Sequence, residues 1–139
     1  MRVLHLNSHE RAGGAAVAAR RLHLGLLGAG ADSHLAVAVR EDDTPNTQLV
    51  GGAFSRRIAR PLTALLEQRL PAVCHARPEH PAYTTFSFLP SLQHTRINAL
   101  SRDILHLHWV AEGFLSPWAL GRLRGPAIWT MHDTWPFTG

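Results

Sequence analysis

Lysine is absent: all 14 basic residues of the 139-residue chain are arginine. A phosphate loop of the Walker type needs a lysine at the β- and γ-phosphates. Schiff-base mechanisms need a lysine amine. The chain supplies neither. Cysteine occurs once, at Cys74, which excludes an intrachain disulfide and cysteine-based zinc ribbons and fits a reducing compartment. Long apolar runs are missing too. Nothing approaches the ~18 apolar residues of a membrane span. The opening Met1-Arg2 leads into a short apolar stretch broken by His5 and Asn7, without the h-region of a secretory signal. A cytoplasmic location is expected. With 45% apolar and 17% charged residues, the composition is that of one globular domain and not of a disordered chain. The formal net charge is +4 with the ten histidines neutral. The arginines are scattered, clustering only at Arg20/Arg21 and Arg56/Arg57/Arg60. No basic stripe interleaved with aromatics is present, so no nucleic-acid partner is expected.

The pattern of what is there is that of an α/β chain. Residues 2–6 form a short apolar run, expected as a buried first strand. Residues 7–14, Asn-Ser-His-Glu-Arg-Ala-Gly-Gly, read as a loop. Ala15, Ala18, Leu22 and Leu26 recur at helical spacing and predict a helix over 15–27 with that face inward. Gly28 and Gly30 follow as terminators. Leu35, Val37 and Val39 mark a second strand over 33–39. Strand, helix and strand within this length form a βαβ unit with parallel strands and a right-handed crossover. Residues 40–52 are polar and read as a loop. Phe54, Ile58, Leu62 and Leu65 suggest a second helix, with Pro61 in its first turn or at a kink. Residues 71–90 carry four prolines and read as irregular. A short helix is expected over 91–100, a buried strand over 103–110, a helix over 114–123 and a strand over 126–132. The expected fold is α/β: a Rossmann-like open parallel sheet with helices on both faces.

Open α/β sheets bind ligands beyond the carboxyl ends of their strands. Three stretches fall there. The first is the Gly13-Gly14 turn before the first helix. Glycines admit a ligand close to backbone N–H groups, and the helix N-terminus favours an anion; a plain tight turn is the alternative, since Gly-x-Gly-x-x-Gly is absent. The second is His106-Leu-His108-Trp109. Strand alternation puts both histidines on one face, where they serve either as metal ligands with His132 or as hydrogen-bonded core residues. The third runs from Thr130 to Gly139 and holds His132 and Asp133. A histidine at a strand end beside a carboxylate can orient a hydroxyl or carry a proton; Asp133 as a helix cap is the alternative. Serine-hydrolase elbows are absent.

These residues resemble a known family. Gly13-Gly14-Ala-Ala-Val-Ala-Ala-Arg-Arg-Leu, His106-Leu-His108-Trp109 and Trp129-Thr-Met-His132-Asp133-Thr-Trp135-Pro-Phe-Thr-Gly139 look like the N-terminal domain of glycosyltransferase family 4. The last run is similar to a branch that builds bacterial exopolysaccharide and capsule. The resemblance covers both ends of the chain and the element order between them. It implies the GT-B fold, two Rossmann-like domains facing a cleft. It implies retaining transfer of a sugar, of hexosyltransferase type, from a nucleotide-sugar donor to a saccharide or lipid-linked acceptor, with no cofactor and no essential metal. Gly13 and Gly14 would approach the donor diphosphate. His132, with Asp133 beside it, would be catalytic by the reacting sugar. His9, His108, Trp109 and Trp135 would line the acceptor cleft. The family's C-terminal donor-binding domain is not in this sequence, so residues 1–139 read as a truncated N-terminal domain, inactive alone. Arg56, Arg57 and Arg60 ahead of Leu62, Leu65, Leu66 and Leu70 read as an ordinary surface helix, with peripheral contact at the inner face of the membrane as the alternative. Two other functions fit the same residues: a metal-dependent hydrolase on His106, His108 and His132, and a sugar- or nucleotide-binding module without catalysis.

Overall fold

Val3 to Ser8 are buried without interruption. A strand buried on both faces belongs at the centre of a covered sheet. A computed structural model, which describes residues 1–50, 65 and 91–133, places it there. Its elements are β1 (Arg2–His9), α1 (Gly14–Gly28), β2 (Asp32–Val39), β3 (Thr47–Leu49), α2 (Gln93–Ala99), β4 (Ile104–Leu107), α3 (Pro117–Leu120) and β5 (Ala127–Trp129). The five strands are ordered β3-β2-β1-β4-β5, and every pairing is parallel. Helices cover both faces. Leu4, Leu6, Ala36, Leu105 and Leu107 join Ile97 of α2, Ala119 of α3 and Phe114 in one apolar cluster. On the other face α1 lies over His5 and Ser33, touching them through His23. The Rossmann-like α/β sheet expected from the sequence is the fold observed. No helix among the described residues is long and apolar enough to cross a membrane.

The local expectations differ from the structure in instructive places. β1 continues through Asn7, Ser8 and His9, where a loop is expected. Their polar groups are taken up by backbone across the sheet: the Ser8 N–H donates to Trp109 O at 2.7 Å and the Ser8 hydroxyl to Ala111 O at 2.8 Å. α1 buries Ala16, Ala19 and His23, one residue along from the predicted face, and leaves Leu22 exposed. Two alanines let the helix lie close to the sheet. The His23 Nε2–H then donates to Pro45 O at 2.8 Å, and its Nδ1 lies 2.8 Å from the Ser33 hydroxyl. These bonds make burial of His23 cheaper than burial of an unpartnered polar group. β3 lies within residues 40–52, read from sequence as loop. It is a three-residue edge strand with no apolar alternation to reveal it. β4 and β5 are shorter than expected, so His108 and His132 lie just beyond their strands. The helix expected over 114–123 is the four-residue α3. It is capped by Ser116, whose side-chain oxygen accepts the Ala119 N–H at 3.3 Å, and Pro117 opens its first turn. The expected helix with Pro61, the Arg56/Arg57/Arg60 cluster and the irregular 71–90 stretch lie outside the described residues.

Glu10 follows β1 and is fully buried. Its carboxylate accepts the N–H groups of Glu41, at 2.9 Å, Asp42, at 2.9 Å, and Thr44, at 3.1 Å, and so ties the segment after β2 to the end of β1. Burial pushes this carboxyl up, but those donors outweigh it and hold it below its ordinary value of 4.5. Its contribution is therefore present above that value and lost as pH falls through the folded-state value. Glu10→Gln keeps one accepting oxygen but sets an NH2 against at least the Thr44 N–H, which then loses its acceptor, and is expected to cost about 1–3 kcal/mol. The expected result is a lower urea midpoint at neutral pH and a shallower loss of stability on acidification than in the unsubstituted chain.

Candidate functional site

The carboxyl ends of β1 and β4, the turn after β5 and the start of α1 converge on one cleft of about 300 Å³. All three stretches singled out in the sequence reach it. His9, Gly13 and Gly14 come from the first, Trp109 from the second, and His132 and Asp133 from the third. Asn7 and Glu112 complete much of the remaining wall. His108, expected as a cleft-lining residue, is not. It is 3% exposed and reaches the cleft only through His132, because it sits one ring deeper between β1 and the turn after β5. Trp135 lies outside the described residues.

Gly13 has φ 89° and ψ 160°. That backbone region is essentially reserved for glycine. A Cβ on either Gly13 or Gly14 would meet nothing within 4 Å among the described residues, so conformation, and not crowding, requires the glycine at 13. The first turn of α1 has no side-chain cap and no acidic residue. Its N–H groups therefore open towards the cleft at the positive end of the helix dipole. The approach to this turn is held by Glu41, whose carboxylate accepts the Arg11 N–H at 2.9 Å and the Ala12 N–H at 3.0 Å.

The opposite wall is fastened by Asn7. Its Oδ1 accepts the Trp109 N–H at 2.9 Å, and its Nδ2 donates to His9 O at 2.6 Å. Asn7 thus locks the ends of β1 and β4 together under the half-buried Trp109 ring. His9 Nε2 lies 3.1 Å from Glu112 Oε2, and Glu112 takes the left-handed backbone conformation, φ 58°. Sequence reasoning singled out neither Asn7 nor Glu112. For Asn7 the signal was available: a polar residue immediately after the apolar run of β1, at the carboxyl end of a central strand. For Glu112 no local pattern marks it.

Beneath the cleft four histidines lie against one another. His5 Nδ1 is 3.2 Å from His108 Nε2, and His108 Nδ1 is 3.1 Å from His132 Nε2. The His106 ring lies 4.3 Å from the His108 ring, centre to centre, and its Nε2 is 2.8 Å from the Thr130 hydroxyl. Burial, with the neighbouring His106 and His23, pushes His5 down to about 4. Burial, with His106, His5 and His132, pushes His108 down to about 3. His106 is lowered by burial and by His132. Neutral imidazoles are the form that binds metals. The trio whose ligand atoms converge within 4.8 Å among the described residues is His5, His106 and His108. The trio expected for a metal-dependent hydrolase, which included His132, is therefore not the one gathered. His5, buried on β1, was not considered from sequence because it reads as an interruption in an apolar strand. The converging trio contains no carboxylate or thiolate, and two of its nitrogens already face each other across one hydrogen bond.

Two measurements follow from this geometry. The folded-state values of His5 and His108 lie below the ordinary 6.5, so their contribution is complete above that value. It is lost as pH falls towards about 4 and then about 3. Urea unfolding between neutral pH and 4 should accordingly take up protons and show a falling midpoint; a flat midpoint across that window contradicts the burial of neutral rings. Gly13→Ala should cost about 1–3 kcal/mol, the range for a side chain forced into a sparsely populated backbone region. Gly14→Ala at a helix position with open space around it should cost nothing or stabilise slightly. Thermal midpoints of the two variants check this.

Comparison of the chain with family models, with curated proteins and with solved structures yields no match.

Proposed function

We propose that residues 1–139 form the N-terminal, acceptor-side part of a retaining glycosyltransferase of the family 4 type. Such an enzyme moves a sugar from a nucleotide-sugar donor to a hydroxyl of a saccharide or lipid-linked acceptor. The observation that carries this reading is that one cleft collects Gly13, Gly14, Trp109, His132 and Asp133, the residues through which the sequence resembles that family. The chemistry of the wall supports it. A half-buried indole offers an apolar face for the C–H face of a sugar ring. The carboxylates of Glu112 and Asp133 suit hydroxyl donors. The uncapped first turn of α1 suits a diphosphate oxygen. Loss of a nucleoside diphosphate builds negative charge on the leaving oxygen, which N–H groups and a helix dipole stabilise without a metal. In the proposed division of labour the donor nucleotide is gripped mainly by a second domain, so residues 1–139 alone should not turn over a nucleotide-sugar.

The test has two parts. Uridine or guanosine diphosphate is titrated into ¹⁵N-labelled protein while the Gly13 and Gly14 amides are followed. Shifts confined to the cleft residues are expected, with binding about tenfold weaker, or ~1.4 kcal/mol, in Gly13→Ala. No amide shift at millimolar ligand removes the diphosphate role of the Gly13-Gly14 turn. A donor-binding domain of this family is then fused after residue 139. Transfer should appear, and His132→Ala should lower it by about 10²–10³-fold, the usual loss for one preorganised donor. Binding without transfer in the fusion would move the assignment to a non-catalytic saccharide- or nucleotide-binding module. Turnover by residues 1–139 alone would overturn the division of labour.

A further inference from the structure

The contacts from His5 to His108 to His132 have a property that their distances alone do not reveal. Each contact joins Nδ1 of the deeper ring to Nε2 of the next. A neutral imidazole carries one proton, on one nitrogen, and accepts at the other. A hydrogen bond holds one proton between its two nitrogens. It follows that the three neutral rings cannot choose tautomers independently. Either all three carry the proton on Nδ1 and the chain donates outwards, or all three carry it on Nε2 and the chain donates inwards.

The buried end of the chain decides between the two. His5 is fully buried, and among the described residues its Nε2 has no hydrogen-bond partner. In the inward arrangement that nitrogen is an N–H with nowhere to donate. In the outward arrangement it is only a lone pair, and the last N–H of the chain lies on exposed His132, where water or a ligand accepts it. A buried N–H without an acceptor is the rarer defect in proteins. We propose that His5, His108 and His132 form a hydrogen-bonded chain of one polarity, with all three rings protonated on Nδ1, so that His132 meets a ligand in the cleft as an N–H donor. His5 and His108 are then positioning residues. They touch no ligand, yet they set which nitrogen of His132 bears the proton. The other His132 nitrogen, Nε2, is occupied by His108, so His132 cannot serve as a base through it while the chain is intact. The complementary ligand group is an oxygen acceptor: a hydroxyl, a ring oxygen or a phosphoryl oxygen.

The tautomer stands on geometry alone. Its use on a sugar or diphosphate oxygen rests on the function proposed above. Burial keeps His5 and His108 neutral down to about 4 and about 3, so these two rings hold their tautomers across the neutral range. His23 provides an internal reference. Its Nε2 faces the Pro45 carbonyl oxygen, which only accepts, so His23 is the Nε2–H form whatever happens to the chain.

The experiment is long-range ¹⁵N–¹H correlation of the histidine rings in the ¹⁵N-labelled 139-residue protein, at a pH where the rings are neutral. The expected spectrum shows His5, His108 and His132 all as Nδ1–H and His23 as Nε2–H. Unlike tautomers within the three, or His132 averaging between forms, overturns the proposal. So does all three as Nε2–H. In His108→Phe the His132 ring should return to the mixture of a solvated imidazole while His23 is unchanged; an unchanged Nδ1–H at His132 overturns the positioning role. Should His108→Phe fail to fold, the His5 pair tests the same point. The His5→Asn amide N–H replaces the Nδ1–H, so His132 keeps its state, whereas His5→Phe releases it. One zinc per purified chain, whose removal by chelator changes the His5 and His108 signals, also overturns the proposal, because the metal then stands where the shared proton should be. Inorganic diphosphate separates this inference from the functional reading. A shift of the His132 Nδ1–H signal supports the donor role. A Nδ1–H signal that ignores both diphosphate and nucleoside diphosphate leaves the tautomer standing and overturns a phosphoryl oxygen as its ligand, while transfer by the fused protein decides the proposed function separately.

Discussion

The register of β1 against β4 is the constraint on which the rest depends. Leu4 pairs with Leu105, His5 with His106 and Leu6 with Leu107. Because side chains alternate, this register puts the leucines of both strands into the apolar cluster under α2 and α3, and the histidines onto the opposite face beside α1. A slip of one residue would exchange the two faces. It would bury imidazoles among leucines and turn the apolar side chains towards α1. Two polar groups reinforce the register beyond the ladder. Asn7 accepts the Trp109 N–H, and the Ser8 N–H and hydroxyl reach Trp109 O and Ala111 O. The cleft is the mouth of this pairing.

Burying polar side chains is costly unless they are satisfied. This chain does so repeatedly around the site, and the partners explain why it is tolerated. Glu10 takes three backbone donors, Asn7 bridges two strand ends, and His23 spans a hydroxyl and a carbonyl. Each bond ties together segments far apart in sequence, so the cost of burial is offset by the fastening of loops that would otherwise move. The walls of the cleft are fixed by second partners in the same way: Glu41 holds the approach to the glycine turn, and Glu112 stands against His9. A site built this way presents its donors already oriented, which is what electrostatic stabilisation requires.

Much of the fold can be read from the sequence. The apolar runs expected as strands over 2–6, 33–39 and 103–110 hold β1, β2 and β4, the last confined to Ile104–Leu107, because their side chains have two covered faces to fill. Gly13-Gly14 opens a helix because the backbone there needs a glycine conformation. The three ligand-facing stretches can be read as well, since a parallel sheet with short turns leaves its carboxyl ends in one place. What escaped is informative in physical terms. The α1 face was misread because hydrophobic spacing favours Leu22, whereas the packing distance favours Ala16 and Ala19, and His23 is accepted inside by two specific partners. β3 escaped because an edge strand of Thr-Gln-Leu needs no alternation. His108 was expected at the cleft and lies behind it, because β4 ends at Leu107 and the turn after β5 brings His132 across its outer edge.

The class of fold, the alternation of strands and helices, and the three segments that bear polar chemistry are written in the chain's local patterns. Periodicity and glycine stereochemistry are local properties that any fold must respect. Which polar residues act together is set by the packing of the folded chain. The line from His5 to His108 to His132, the clamp from Asn7 to Trp109, and the anchoring of the Glu41–Thr44 segment by Glu10 join residues 24 to 103 positions apart. Such contacts depend on strand order and register, which are set by the burial of the whole sheet and leave no mark in any single stretch of chain.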